Sequence, residues 1–371
     1  MALRVQLVLA VAVVVPALGV AAGGATLGVN YGQVADNLPP PQAAAMLLRS
    51  LNATKVKLYD ADARVLSAFA GSGADFTVGL PDRLVPRLAA DPSAAAAWVR
   101  ANILPHIPAT SITAVTVGNE VLTGNDSAML RSLLPAMQSL HAALAACNLT
   151  SRVVVTTAHS LAVLSSSFPP SSAAFRRELL PYMAPLLAFL AKTGSPFLIN
   201  AYPYFAYKGD PEHVDLNYVL FEANAGVGDP ATGLRYDNML HAQVDAVRAA
   251  ICRANYGKAV EIPGVGDRGK GTPAAPGEAL QVYVFALFNE DMKPGPASER
   301  HYGLFKPDGT PAYDVGVKAP TIGGSWKGRA NGTSGGGAGG LVVAEGPGGA
   351  DGAGQGTGFY TVSAAAHKCG S

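Results

Sequence analysis

Short β-branched or apolar runs alternate with longer helical stretches along most of this chain. The strand-like runs are residues 27–31, 56–59, 76–80, 112–117, 153–157 and 197–201. The helical stretches are residues 41–51, 62–69, 92–104, 127–146, 175–192 and 236–255. Two further strands are predicted at 259–262 and 280–288, which brings the count to eight. Eight strands with intervening helices predict an α/β fold, the closed (β/α)8 TIM barrel.

The seventh βα unit of this barrel is predicted to be incomplete. Residues 263–279 separate the last two predicted strands, and these 17 residues include five Gly and three Pro, so no ordinary helix is expected there. A crossover to a parallel strand needs about 10 to 12 residues including its helix, so a loop can span the gap while leaving apolar sheet uncovered. We therefore expect a barrel of reduced stability.

The first 25 residues have the composition of a secretory signal peptide. Arg4 gives a positive start, residues 5–20 are almost wholly apolar, and residues 21–25 are small, so cleavage is predicted just before Thr26. The alternative, a retained membrane anchor, is disfavoured because the apolar run is short for a span of about 20 residues. Four glycosylation sequons agree with secretion to the extracellular space or cell wall; they lie at Asn52, Asn125, Asn148 and Asn331.

The rest of the chain divides into one domain and a tail. Residues 26–318 are long enough for a single barrel domain. Residues 319–371 are rich in Gly, Ala and Ser and too poor in large apolar residues to form a core, which predicts a disordered tail. The chain ends in a short, polar sequence, whereas a lipid-anchor signal ends in a hydrophobic stretch of roughly 10 to 20 residues. Lipid anchoring is therefore not supported.

The net charge and the cysteine content limit the kinds of partner, metal site and disulfide that are expected. With 27 Lys plus Arg against 26 Asp plus Glu, the chain has no electrostatic footprint for nucleic acid or anionic membrane, which favours a neutral partner. The protein is expected to be a monomer. The three cysteines lack metal-like spacing, and no HExxH motif occurs, so neither a metal nor a cofactor is predicted. The cysteines are interpreted as buried free thiols, with a bridge between Cys147 and Cys252 as the open alternative.

The sequence ITAVTVGNEV at 112–121 places Asn119 and Glu120 directly after a β-branched strand. In a (β/α)8 barrel the chemistry lies at the carboxyl ends of the strands, so Glu120 is placed like a catalytic acid. The alternative is a glutamate that caps the next helix. Glycoside hydrolysis normally requires a second carboxylate opposite the first, and none is evident in the sequence.

Five blocks carry a resemblance to a known family. They are LGVNYGQVADNLPPP at 27–41, KLYDAD at 57–62, TVGNEVL at 116–122, INAYPYF at 199–205 and FALFNEDMKPGPASERHYGLF at 285–305. In this order they resemble plant glycoside hydrolase family 17, whose members are endo-1,3-β-glucosidases. The resemblance covers residues 27 to about 313 and implies a (β/α)8 barrel that hydrolyses 1,3-β-glucan, such as callose, with retention.

The resemblance also implies roles for single residues. It makes Glu120 the general acid/base and Asn119 a neighbour that orients the sugar. Glu290, Lys293 and Glu299 match an acidic and basic cluster that supports the substrate site. Aromatic residues at strand ends are expected to stack on sugar rings or orient their hydroxyls; they are Tyr31, Tyr59, Tyr202 and Phe288. For Tyr204, Phe205 and Tyr207, packing against the insertion at 208–235 is as good an interpretation as a role in the sugar site.

The chain departs from the family at the nucleophile. The family has a Ser-Glu-Ser/Thr-Gly-Trp-Pro segment at the end of strand seven, and no such segment occurs here. Glu261 corresponds to the start of that strand, where a strand-edge charge is expected, and an inverting role for Glu290 is a remote alternative. Three interpretations stay open: an endo-1,3-β-glucosidase, a non-hydrolytic glucan-binding protein, or a splice or gene-model product lacking part of the barrel.

Overall fold

One curled sheet of parallel strands dominates the fold, in a computed structural model that describes residues 27–256 and 271–313. Its seven strands are β1 (Leu27–Asn30), β2 (Ala53–Lys57), β3 (Asp75–Leu80), β4 (Ser111–Asn119), β5 (Val154–Ser160), β6 (Leu198–Asn200) and β7 (Tyr283–Phe285). They pair in the order β7-β1-β2-β3-β4-β5-β6. The last strand thus lies beside the first, as in a (β/α)8 barrel. The strand predicted at 259–262, Glu261, the signal segment and the tail lie outside the described residues.

Helices follow most of the strands and cover the outside of the sheet. They are α1 (Pro41–Ser50), α2 (Ala63–Ala68), α3 (Val85–Ala90), α4 (Pro92–Asn102), α5 (Ser127–Ala146), α6 (Leu180–Thr193), α7 (Pro203–Gly209), α8 (Leu216–Leu220) and α9 (Met239–Arg253). Within the described ranges, no helix is long and apolar enough to cross a membrane.

The sequence explains where the main helices begin and which face they bury. The side chains of Asp62, Asp91 and Asp126 accept hydrogen bonds from backbone N–H groups in the first turns of α2, α4 and α5. Helix α5 has the predicted bounds, and its buried residues recur every three or four positions: Leu133, Ala136, Met137, Leu140, Ala143 and Leu144. This stripe packs against the sheet and continues into the main core.

Two predicted helices are shorter than expected at their amino-terminal ends. The helix predicted at 175–192 begins only at Leu180, because Phe175 belongs to a two-residue strand that pairs with Leu164 and a 3-10 turn follows. The helix predicted at 236–255 begins at Met239, since Tyr236 pairs with Val227 in a small hairpin. Tertiary pairing overrides the local helical pattern in both places.

A hairpin precedes β7, in the described part of the segment 263–279 for which no ordinary helix is predicted. Gly271–Thr272 pairs antiparallel with Ala275–Ala279, in agreement with the prediction that no ordinary helix forms there. Asp245 of α9 is buried, and its Oδ2 accepts a hydrogen bond from the backbone N–H of Ala274 at 2.9 Å. This bond attaches the hairpin to the helix layer.

The alternative of a bridge between Cys147 and Cys252 is wrong, because Cys147, at the carboxyl end of α5, is a free and half-buried cysteine. The interpretation of Cys252 as a free thiol is also wrong, since this residue is disulfide-bonded.

Candidate active site

Glu120 lies at the carboxyl end of β4, where the chain turns sharply. Gly118 and Glu120 both have left-handed backbone conformations, with φ angles of 63° and 56°. A Cβ atom on Gly118 would lie 2.6 Å from Val121 Cγ2 and 2.9 Å from Asp82 Oδ1, so this position requires glycine. A left-handed glutamate costs about 1 to 2 kcal/mol, and such strain is typical of functional positions.

Two hydrogen bonds hold Glu120 in this turn. Its backbone N–H donates to the carbonyl oxygen of Ala158 in β5 at 2.8 Å. Its Oε1 atom accepts from Nδ2 of Asn200, at the end of β6, at 2.7 Å. The carboxyl group is therefore oriented by two different strands of the barrel.

Asn119 belongs to the same network. Its backbone N–H donates to Asp82 Oδ1 at 2.9 Å, and its side-chain oxygen accepts from Asn200 Nδ2 at 3.3 Å. Asn200 thus bridges Asn119 and Glu120. The sequence analysis did not single out Asn200, although it is the second residue of the INAYPYF block.

The protonation of Glu120 is shifted by its surroundings. Burial raises the pKa of Glu120 and Asp82 acts in the same direction, while the bond from Asn200 and the charges of Lys57 and Lys293 oppose the shift. A carboxyl group with a raised pKa keeps its proton closer to neutral pH, which suits a general acid.

Lys57, at the end of β2, is a buried ionisable group of this region that the sequence analysis did not single out. Only 5% of this residue is exposed, and its Nζ atom lies 3.8 Å from the centroid of the Tyr59 ring. Burial lowers the pKa of Lys57 to about 8, against the opposing effect of Glu120. Its position in the KLYDAD block, at the inner face of a strand, was the available signal.

The residues after β7 form the predicted acidic and basic cluster. Glu290 is buried, and its Oε1 accepts from the backbone N–H of Val34 at 2.8 Å. Lys293 Nζ lies 3.4 Å from Glu299 Oε2, and the Tyr302 hydroxyl donates to Glu299 Oε1 at 3.0 Å. Glu290 and Glu299 thus both interact with residues that surround the site.

Electrostatic coupling links this cluster to the rest of the site. Burial is the main cause that raises the pKa of Tyr59, and the charges of Glu290 and Glu120 add to the effect. The pKa of Tyr202 is likewise raised by burial first, and then by charges that include Glu120 and Glu299. Tyr59 and Tyr202 are therefore each close enough to Glu120 and to one carboxyl group of the cluster to be affected by both charges.

Two of the predicted sugar-stacking residues are buried in the core. Tyr31 and Phe288 are 2% and 1% exposed, and their rings meet edge to face with centroids 5.8 Å apart. Neither ring offers a free face to a sugar, so the expectation of stacking is corrected for both. An aromatic residue at a strand end fills the barrel when its side chain meets another aromatic ring there.

The aromatic residues of α7 form a cluster beside Tyr202. The rings of Tyr202 and Phe205 are 5.5 Å apart, those of Tyr204 and Phe205 are 6.0 Å apart, and Phe205 is 40% exposed. The cluster therefore presents an apolar surface next to the site.

A cavity of about 130 Å³ opens inside the barrel between β6 and β7. Its polar lining consists of Asn30, Lys57, Tyr59, Asn200, Tyr202, Gln281 and Tyr283. Asn200 also bonds Glu120, so the carboxyl group lies at the edge of this cavity. The lining given by the described residues contains one cation and no Asp or Glu. Across the described ranges, no group of three His, Cys, Asp or Glu residues is arranged to hold a metal ion.

Comparisons with known proteins agree with this architecture. The model of Glycosyl hydrolases family 17 matches residues 27–269 and 265–317. Glucan endo-1,3-beta-glucosidase 11 of Arabidopsis thaliana is 49% identical over 322 residues, covering 78% of this chain and 75% of that protein. Glucan endo-1,3-beta-glucosidase 10 of the same plant is 48% identical over 338 residues, covering 82% and 79%.

Solved structures give the same result. A beta-1,3-glucanase and allergen of Cryptomeria japonica pollen superposes with a TM-score of 0.74 at 35% identity, over 79% of this chain and 99% of that one. A plant beta-glucan endohydrolase superposes with a TM-score of 0.70 at 35% identity, over 77% and 98%. From its sequence blocks, its barrel and these matches, the chain belongs to Glycosyl hydrolases family 17.

Proposed function

We propose that this chain acts on 1,3-β-glucan as an endo-hydrolase with retention, and that Glu120 is its general acid/base. The proposal rests on the hydrogen bond of 2.7 Å that Asn200 Nδ2 donates to Glu120 Oε1 at the barrel mouth, where burial raises the pKa of the Glu120 carboxyl group. The plant relatives are named glucan endo-1,3-beta-glucosidases, which supports 1,3-β-glucan as the substrate and its glycosidic bond as the bond that is cleaved.

The chemistry assigned to Glu120 has two parts. In its protonated form the carboxyl group donates a proton to the glycosidic oxygen as the bond to the anomeric carbon breaks. In its ionised form it then takes a proton from the water that releases the sugar. Asn200 stays bonded to Oε1 and keeps the group in place. Asn119, Tyr59 and Tyr202 are proposed to orient the sugar, with Glu290, Lys293 and Glu299 as the supporting cluster.

Retention also needs a carboxylate nucleophile about 5 to 5.5 Å from the acid. We propose that the family's nucleophile segment is missing from this chain. The alignment with glucosidase 11 runs over 322 positions, while 78% of 371 residues is only about 289, so about 33 positions of the relative have no counterpart here. Together these positions number about as many as the roughly 30 residues of a βαβ unit.

These unmatched positions support a second candidate function, a non-hydrolytic 1,3-β-glucan-binding protein. Its supporting observation is the cavity itself, whose described lining holds Lys57 and no carboxylate. Such a protein keeps the groove and Glu120 but forms no glycosyl-enzyme intermediate. The two candidates share the ligand and differ in turnover.

We further propose that the protein is secreted to the extracellular space or cell wall as a monomer, with residues 26–318 as its barrel domain. The apolar amino-terminal segment and the sequons support secretion. Three of the sequon asparagines are exposed in the structure: Asn52, Asn125 and Asn148.

One experiment separates the candidates. Reducing-end release from linear 1,3-β-glucan and calorimetric binding of laminari-oligosaccharides are measured for the chain, for Glu120→Gln and for Glu178→Gln, a control at an exposed glutamate. Turnover that only Glu120→Gln abolishes supports the hydrolase. Binding without turnover supports the glucan-binding protein, and restoring the nucleophile segment should then create activity. A chain that neither binds nor cleaves the glucan contradicts both candidates.

A further inference from the structure

Asp82 lies beside the turn that carries Glu120. Strands β3 and β4 pair in parallel up to Leu80 and Val117, and β3 ends at Leu80. Asp82 follows two residues later, and its Oδ1 atom accepts a hydrogen bond from the backbone N–H of Asn119 at 2.9 Å. The carboxylate of Asp82 therefore supplies an acceptor to β4 where the backbone ladder between the two strands has ended.

The turn is held from both sides of β4. The next backbone N–H, that of Glu120, donates in the other direction, to the carbonyl oxygen of Ala158 in β5 at 2.8 Å. Asp82 also packs closely against Gly118, since a Cβ atom there would lie 2.9 Å from Asp82 Oδ1. Glu120 keeps its left-handed conformation, with a φ angle of 56°, only where surrounding contacts over-determine it. Asp82 and Ala158 supply such contacts on opposite sides.

The charge of Asp82 has an effect beyond this hydrogen bond, because an asparagine could accept the same bond without a charge. Burial is the largest cause that raises the pKa of Glu120, and the charge of the half-buried Asp82 acts in the same direction. A negative charge near a carboxyl group disfavours its ionised form. The other charged or titratable groups that interact with Glu120 come from β2, from α7 and its preceding strand, and from the segment after β7. They are Lys57, Tyr59, Tyr202 and Lys293.

We propose that Asp82 is a positioning residue of this site: its carboxylate holds the turn that orients Glu120, and its negative charge favours the protonated form of Glu120. The inference deepens the proposed function and rests on it. A general acid must carry its proton until the glycosidic oxygen leaves, and it must then accept a proton from water as a general base. The charge of Asp82 keeps the proton on Glu120 at higher pH and makes the ionised form a stronger base. Asp82 thus extends toward neutral pH the range in which Glu120 can act as an acid.

The titration of Glu120 tests this role without any need for turnover. The full chain is labelled with 13C at the side-chain carboxyl of glutamate and titrated by NMR, and the resonance of Glu120 is assigned by its absence in Glu120→Gln. Asp82→Asn keeps an oxygen acceptor for the Asn119 N–H and removes the charge, whereas Asp82→Ala removes both. Asp91→Asn is the matched control, because Asp91 is an exposed residue that also accepts a backbone N–H, that of Ser93, at 2.8 Å. Calorimetric binding of laminaribiose to each protein reports on the glucan site.

We expect Asp82→Asn to increase the acid dissociation constant of Glu120 by about three- to tenfold, so that the carboxyl group titrates at lower pH, while Asp91→Asn leaves it unchanged. Asp82→Ala should show the same change and should also bind laminaribiose more weakly, because the turn loses an anchor.

Two results would overturn the role of Asp82. One is a Glu120 titration that is the same in the parent chain and in Asp82→Asn. The other is a change of equal size in Asp91→Asn, which would show that any lost surface charge has this effect. A parent chain that fails to bind laminaribiose refutes the proposed function instead, and the titration still decides whether Asp82 acts on Glu120.

Discussion

Substituting Lys57 by Met should stabilise the fold at neutral pH, and the gain should disappear in alkaline solution. Burial lowers the pKa of Lys57 from 10.5 to about 8. The unfolded chain therefore binds more protons than the folded chain between about pH 8 and 10.5, and stability rises with pH across this window. Below pH 8 the penalty for the charged group is fully present.

The size of the effect follows from the shift. A difference of about 2.5 pKa units corresponds to about 3 kcal/mol at pH 7, and roughly 1 kcal/mol of it remains at pH 10. At pH 7 Lys57→Met also loses the cation–π contact with Tyr59, worth about 2 kcal/mol when desolvated, whereas at pH 10 the folded lysine is largely neutral and makes no such contact. The pH dependence of the difference between the two proteins is therefore the decisive quantity, and it should be about 2 to 3 kcal/mol.

Urea unfolding at 25 °C, followed by fluorescence at pH 7, 8.5 and 10, measures this quantity. Tyrosines and other titrating groups are common to both proteins and cancel in the difference. Lys55→Met, at a half-buried lysine on the same strand, is the matched control. A Lys57→Met difference that is constant within about 0.5 kcal/mol over this range would show that Lys57 is not a buried cation.

Three further predictions test other parts of the structure. Glu120→Gln should be more stable than the parent protein at pH 7. Burial raises the pKa of the Glu120 carboxyl group, so its ionisation lowers the stability of the fold above about pH 4.5. Equal denaturation midpoints of the two proteins at pH 7 would contradict this. Asp245→Ala should lose about 1 to 3 kcal/mol in urea unfolding, since the Ala274 N–H loses its acceptor, whereas Asp210→Ala at the surface should change little. Secreted protein treated with an N-glycosidase should lose mass and convert Asn52, Asn125 or Asn148 to Asp, and peptide mass spectrometry should locate the change.

The elements with strong local signals could be predicted from the sequence. Helix α5 has its predicted bounds because Asp126 caps it and its apolar residues keep a helical spacing throughout. Strand β4 is β-branched and nearly continuous, and the barrel rule then places Glu120 at the strand end where the structure has it. In these cases local preference and tertiary structure agree.

The contacts that organise the site could not be predicted in the same way. Asn200 bonds Glu120 across 80 residues of sequence, and only the pairing of β5 with β6 brings the two strands together. Tyr31 and Phe288 occupy strand ends, but their orientation toward the core depends on their contact with each other. Helix α6 starts late because Phe175 finds a partner strand. Each of these outcomes depends on residues distant in sequence.

We expect charge balance in the cavity to affect binding and turnover differently. The transition state of glycoside hydrolysis resembles an oxocarbenium ion and is positively charged, while Lys57 places a positive charge in the lining of the cavity. Neutral glucan carries no charge for Lys57 to repel, so its binding should depend on the charge of this residue less strongly than any turnover does.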